Sequence, residues 1–424
     1  MSTDPVVVSG MALHTPLSDE LMGNLAALMA GRSAITPWRS IDTSRIYAKI
    51  GGDLGDVDLS PALAELSARL PPGISARLQR LARRLPHMPL LGLLTVARAV
   101  LDAGLEEAEA AEAHVLIAGA NLSDRLMDEG FARYGATRSG IEASHELYLL
   151  DSTLAACVSE LLGSRGPAFV INGACASGNL ALLAGLRELR HHGAKRVIVL
   201  GAPSDVSPRG LHGFALLGAL AIHRFQDEPA RASRPWDRDR EGFVPAHGCG
   251  VMVLEPRELC AARGARAWAE LCGVGVTSDA NHLTLPNEEG QARAITLALR
   301  RGGVAAEELD FVSAHATSTP AGDLVELAAL RAALGPHAER VRLNAPKSLL
   351  GHTLNASAIV EGVLAVLQMN ADTLHGSLNI DNLDPGVTLD VCAAGPVRQP
   401  VRALLNNAFG FGGHNTTSVF RRMP

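Results

Sequence analysis

One thiol and two imidazoles stand out in this 424-residue chain because of their neighbours. Cys175 lies in Gly-Ala-Cys-Ala-Ser-Gly, between a short apolar run (168–171) and an apolar pattern at helical spacing (177–191). A thiol at a helix N-terminus feels the positive end of the dipole, which lowers its pKa and favours the nucleophilic thiolate. Small neighbours let the backbone turn sharply and let an acyl group approach. Taken alone, such a cysteine is more often core filling. His315 occupies the matching place after a second apolar run, in Asp-Phe-Val-Ser-Ala-His-Ala-Thr-Ser-Thr (310–319). Lys347 and His352 stand five apart in Lys-Ser-Leu-Leu-Gly-His. Singly, these residues fit a hydrogen-bonded core or a solvated loop equally well. The stretch Asn-Asn-Ala-Phe-Gly-Phe-Gly-Gly-His-Asn (406–415) is not a phosphate loop, since no Gly-Lys-Ser/Thr follows. A tight turn between two final strands (402–405 and 416–420) accounts for it.

The elements that must position these groups read as α/β. Short apolar runs at 6–9, 114–118, 168–171 and 196–200 predict buried strands. Helical spacing at 95–103 and 177–191 predicts the helices between and beyond them. That alternation argues for sheets covered on both faces. Residues 168–178 and 310–319 share one layout, strand then turn then helix, the second helix falling at 325–334. This predicts two duplicated α/β halves, 1–250 and 251–424, whose strand ends meet at one site, with residues 251–255 opening the second half. Residues 53–89, with a Pro-Pro-Gly and an arginine-bearing segment, read as a surface excursion.

Composition removes several classes of function. Hydrophobic residues make up 47% and charged residues 19%, too apolar for a disordered chain. A net charge of −6 gives no general attraction to phosphate backbones, so nucleic acid is not the expected partner. Six cysteines without Cys-x-x-Cys spacing read as reduced thiols, with no zinc cluster and no metal expected. Apolar runs are too short and too broken by Gly and Pro to span a bilayer, and the first residues do not resemble a signal peptide. The expectation is a cytoplasmic protein.

Together, the motifs resemble one family. The chain is similar to the β-ketoacyl-acyl-carrier-protein synthases of the elongating type, thiolase-fold condensing enzymes, and to their polyketide ketosynthase branch. The likeness runs from VSGMALHTP (8–16) and LMAGRSAI (28–35) through GACASG, RASRPWDRDREGF (231–243), SAHATSTPAGDLVE (313–326) and PKSLLGH (346–352) to NNAFGFGGHN. It implies a layered α-β-α-β-α fold. It makes Cys175 the acyl-accepting nucleophile, and His315 and His352 the groups that bind a malonyl thioester carbonyl and promote loss of carbon dioxide. Lys347 would pair with Glu326 to hold the histidine site. The backbone of Phe411, flanked by Gly410 and Gly412, would complete an oxyanion hole with that of Cys175, its side chain gating the acyl pocket. Thr317 and Thr319 would contact the phosphopantetheine arm of an acyl carrier protein, which is substrate and not a bound cofactor. Arg77, Arg80, Arg83 and Arg84 would dock that carrier. The family is dimeric, which implies an identical or related partner chain across the strand beside the nucleophile.

The chain departs from the family at Ala316, where a glycine is usual, and at His247, where relatives carry a glutamate before Gly-Ala-Gly. The segments IAGANLSD (117–124) and 149–162 look more like a specialised branch that includes malonyl-carrier decarboxylases. Those enzymes, and the chain-length-factor partners of paired synthases, usually lack the cysteine, so Cys175 favours condensation. A cysteine hydrolase would leave Lys347, His352 and the Gly-Phe-Gly-Gly turn without a role.

Overall fold

The computed structural model describes residues 4–424. Its main sheet contains β1 (Val6–His14), β2 (Ala113–Ala118), β3 (Ala168–Ile171), β4 (Arg196–Gly201) and β5 (Cys249–Pro256). It continues with β6 (Ala269–Ser278), β7 (Leu309–Ser313), β8 (Arg342–Asn344), β9 (Ala403–Gly410) and β10 (His414–Arg421). The helices used below are α1 (Ser60–Arg69), α2 (Pro72–Ala82), α3 (His87–Asp102), α4 (Asp151–Leu162), α5 (Ser177–His191), α6 (Glu288–Gly302), α7 (Gly322–Leu334) and α8 (Ser357–Ala371).

The strands run β8-β7-β9-β10-β6-β1-β5-β4-β2-β3 across the sheet. Within the first half the order is β3-β2-β4-β5-β1, and within the second it is β8-β7-β9-β10-β6, the same pattern moved on by five strands. Parallel and antiparallel pairings match too, strand for strand. The halves join where β1 meets β6, with Val7 opposite Glu270 and Val8 opposite Ala269. The duplication expected from two motifs is therefore a property of the whole sheet. Gly250 falls inside β5, which pairs with β1 and β4, so we place the boundary between halves after Pro256.

Why the strands read as unbroken apolar runs is visible in where their side chains go. Successive strand residues point to opposite faces, and here both faces are core. Leu116, Val197, Val199, Met252 and Leu254 pack with α5 and α8 between the halves. Their neighbours Val115, Ile117, Ile198, Leu200, Val251 and Val253 pack under α3 and α4 on the outside. In the second half, Phe311, Leu404 and Phe420 face the centre while Val312, Leu405 and Val419 face α6 and α7. Three separate apolar cores thus lie between five layers, α-β-α-β-α. Helix α8 is central and buried over nearly its whole length, which explains why residues 354–371 form a stretch long and apolar enough to cross a membrane.

Two expectations needed correction. Residues 53–89 are not a surface excursion: α1, α2 and the link between them insert Leu66, Leu70, Ile74, Leu78 and Leu81 into the outer core. Ile74, Leu78 and Leu81 recur at helical spacing on one face, and each buried side chain contributes roughly 1.5–3 kcal/mol. The intervening arginines obscured that stripe. β3, in turn, is a sheet edge and not a buried strand, with Ala168 and Phe169 exposed.

Candidate active site

Cys175 sits in a single 3-10 turn (Ala174–Ala176) between β3 and α5. The turn is held by Ser177, whose Oγ accepts from Gly173 N–H at 2.9 Å and donates to the Ala174 carbonyl at 2.6 Å. Ala174 adopts φ 50°, a left-handed conformation that a non-glycine residue enters at a cost of about 1–2 kcal/mol. Ser318 (φ 67°) and Leu354 (φ 52°) share that conformation beside the two histidines. Each of the three motifs thus carries one strained backbone position.

Convergence is the central observation. His352 Nε2 lies 3.1 Å from Cys175 Sγ, and the His315 and His352 rings meet edge to face with centroids 5.5 Å apart. All three line one cavity of about 320 Å³, together with Thr317, Thr319 and Phe411. The Thr317 and Thr319 hydroxyls are 3.2 Å apart. Leu354 N–H donates to His352 Nδ1 at 3.3 Å, so the neutral ring carries its proton on Nε2, aimed at the sulfur. His315 Nδ1 is buried without a partner, which leaves Nε2 as the nitrogen open to the cavity. Burial pushes both imidazoles well below their ordinary pKa, and the Lys347 ammonium adds to this. They are neutral N–H donors.

The thiol departs from the sequence expectation. Burial, the largest influence, pushes Cys175 up to about 11, while Lys347 and the backbone N–H groups of Cys175 and Phe411 pull the other way. The end of α5 and its neighbours therefore do not deliver a resting thiolate; desolvation wins. The two N–H groups aimed at the sulfur are those an oxyanion hole would use. Gly410 lets the second of them come close, since a Cβ there would lie 2.5 Å from the Gly173 carbonyl oxygen. Gly412 and Gly413, at φ 89° and 73°, form a turn that other residues enter poorly.

The support behind the histidines is also rearranged. Lys347 does not pair with Glu326. Its Nζ lies 2.5 Å from Glu361 Oε1, an ion pair outside hydrogen-bond angles, and Glu361 also accepts from Ser357 Oγ at 2.8 Å. Glu326 instead accepts from the backbone N–H groups of His315 and Ala316 at 2.9 and 2.8 Å, and from Asn407 Nδ2 at 2.9 Å. It clamps the histidine loop by its backbone, which is why alanine serves at 316. Sequence reasoning missed Glu361, although a lone carboxylate in the apolar run Ser-Ala-Ile-Val-Glu-Gly-Val-Leu was a signal. It also missed Asp323, buried and raised to about 7 by burial, which accepts from Trp236 N–H and Thr319 N–H.

His247 is buried against Trp38, its Nδ1 accepting from Leu54 N–H at 3.0 Å and lying 3.3 Å from Asp53 Oδ1. The altered network foreseen at this position is thus a tie to the loop after residue 52. The four arginines considered for docking lie on α2 and just after it. Arg77 pairs with Glu107 at 2.8 Å, Arg80 and Arg84 share Glu160, and Arg83 is exposed.

A duplicated five-layer fold with Cys-His-His at the meeting of its strand ends defines a condensing-enzyme class, and the comparisons agree. The chain belongs to the β-ketoacyl synthase family: the beta-ketoacyl synthase N-terminal domain matches residues 3–259 and the C-terminal domain residues 268–381. It is 32% identical to 3-oxoacyl-[acyl-carrier-protein] synthase 2 of Vibrio cholerae serotype O1, covering 100% of both chains. It is 29% identical to the polyketide biosynthesis malonyl-ACP decarboxylase PksF of Bacillus subtilis, over 97% of this chain and 95% of the other. Among solved structures, the ishigamide ketosynthase/chain length factor superposes with a TM-score of 0.87 at 27% identity, covering 100% of both chains.

Proposed function

We propose that the protein joins an acyl group to a malonyl-derived unit, both delivered as thioesters on the phosphopantetheine arm of an acyl carrier protein. The observation that carries this reading is the 3.1 Å contact of Cys175 Sγ with a proton-bearing His352 Nε2, with His315 beside it in the same cavity. In the first step the Cys175 sulfur attacks the acyl thioester, and the oxyanion is held by the N–H groups of Cys175 and Phe411. The proton released from the thiol leaves on the pantetheine sulfur, so the exchange is proton-neutral and a raised thiol pKa is compatible with it. Fixed donors of this kind are typically worth about 3–4 kcal/mol each.

In the second step the malonyl thioester oxygen takes the Nε2–H groups of His315 and His352. The bond to the carboxylate breaks, carbon dioxide leaves, and the electron pair becomes an enolate whose charge those two donors hold. The enolate carbon attacks the acyl–Cys175 thioester, and the sulfur departs as thiolate and regains a proton from solvent. Thr317 and Thr319 line the path of the arm. Exposed β3, with an unpaired backbone edge next to the nucleophile, suits a related or identical partner chain across it. Six unpaired cysteines suit a reducing, cytoplasmic setting.

The test is the intact mass of the protein after incubation with acyl-loaded carrier, followed by product analysis with malonyl carrier. We expect an acyl adduct that disappears in Cys175→Ala, and a β-ketoacyl carrier formed only by the wild type. Acetyl carrier formed equally by both proteins would identify a decarboxylase. Release of free acid would identify a hydrolase.

A further inference from the structure

The cavity over Cys175 has an unusual mouth. Of the residues that line it, the exposed ones are Leu217, Gly218, Leu283, Leu285, Pro320 and Ala321, and none carries a charge. Leu216, beside Leu217, is 70% exposed, and Leu283 is 69% exposed. Leu216 and Leu217 end one helix (Pro208–Leu216) and Leu283 and Leu285 stand on the loop after β6, so two separate segments supply the leucines. Leu283 is also tied to the site: its carbonyl accepts from Gly412 N–H at 2.8 Å, in the turn next to Phe411. Contiguous exposed aliphatic surface at one place on a protein marks an interaction site.

Its occupant follows from the substrate. A thioester that reaches Cys175 through this opening is tethered to a carrier whose body must rest outside it, on these residues. Resting on the condensing reading above, we infer that the acyl carrier protein seats on this collar by apolar contact, presenting aliphatic side chains to Leu216, Leu217, Leu283 and Leu285, instead of by ion pairs with the arginines of α2. Three of those arginines already have carboxylate partners in Glu107 and Glu160. An acidic carrier gains little by competing for them, because it must first separate existing pairs.

The test compares kcat/KM for a malonyl-loaded bacterial acyl carrier protein with that for malonyl-pantetheine, which has no protein body, each with a saturating acyl-pantetheine that acylates Cys175 and with the β-ketoacyl product measured. In Leu283→Ser/Leu285→Ser the carrier-to-pantetheine ratio falls at least about tenfold, since about two aliphatic contacts are lost. In Arg80→Ala/Arg84→Ala it changes less than about twofold, and in the wild type less than about threefold between about 50 and about 500 mM NaCl, apolar contact being unscreened. All four positions are exposed, where substitution shifts stability by only about 0.5 kcal/mol. An unchanged ratio in the leucine variant, or a ratio that collapses with salt or with the arginine change, overturns the inference. So does wild-type turnover of malonyl-pantetheine without turnover of the carrier, or self-association lost in the leucine variant with an unchanged ratio. Failure of the wild type on both donors refutes the condensing reading itself, which keeps the two failures apart.

Discussion

Replacing Glu361 with glutamine would leave the Lys347 ammonium buried with no counter-charge in contact. At 2.5 Å and an effective dielectric of about 20, the attraction lost is about 6–7 kcal/mol before desolvation is counted. Removing one member of a buried pair typically costs about 3–5 kcal/mol in net stability. Lys347→Met should cost a similar amount, by stranding the carboxylate. The double variant Lys347→Met/Glu361→Gln has no stranded charge, so it should recover about 2 kcal/mol or more relative to the sum of the singles. The matching cycle with Glu326→Gln should show coupling below about 1 kcal/mol, because Glu326 spends its oxygens on the backbone of His315 and Ala316. Urea unfolding followed by circular dichroism, with m-values compared across the set, measures both cycles. Stronger coupling of Lys347 to Glu326 than to Glu361 would refute this account of the buried charges.

Alkylation of Cys175 by iodoacetamide should rise about tenfold per pH unit from about pH 8 to about pH 10, because burial holds the thiol protonated; a plateau near pH 8 contradicts that. Gly410→Ala should slow acylation about 10²- to 10³-fold with folding intact, since the new methyl meets the Gly173 carbonyl and moves the Phe411 N–H. Stopped-flow acylation decides this, and an unchanged rate removes that donor from the mechanism. His247→Glu, which places a second carboxylate beside Asp53, should destabilise by about 1–3 kcal/mol. The loss should grow as pH rises from about 4 to about 7, because a second carboxylate beside Asp53 has its pKa raised in the fold and ionises first in the unfolded chain. A loss independent of pH excludes like-charge repulsion as its cause.

Much of this architecture is written locally. Strands β2, β4 and β5 are apolar through their central positions (115–118, 197–200 and 251–254) because both faces there are buried, so they were readable as short unbroken runs. The duplication was readable because two strand-turn-helix segments each end on a reactive side chain. Other features were not local. The stripe of Ile74, Leu78 and Leu81 was masked by the arginines between them, and β3 looked buried because its apolar composition does not reveal that it lies at the sheet edge.

The sequence by itself determined which groups do the chemistry: small residues around Cys175, a histidine after each of two motifs, and glycines where the turn at 412 and 413 needs positive φ. Only the tertiary structure decided their partners and their protonation. Glu326 and Glu361 lie on opposite sides of Lys347 along the chain, and packing assigned one to a backbone and the other to Lys347. The thiol's pKa likewise depends on how much water the folded cavity excludes, a quantity summed over side chains from both halves that no local stretch contains.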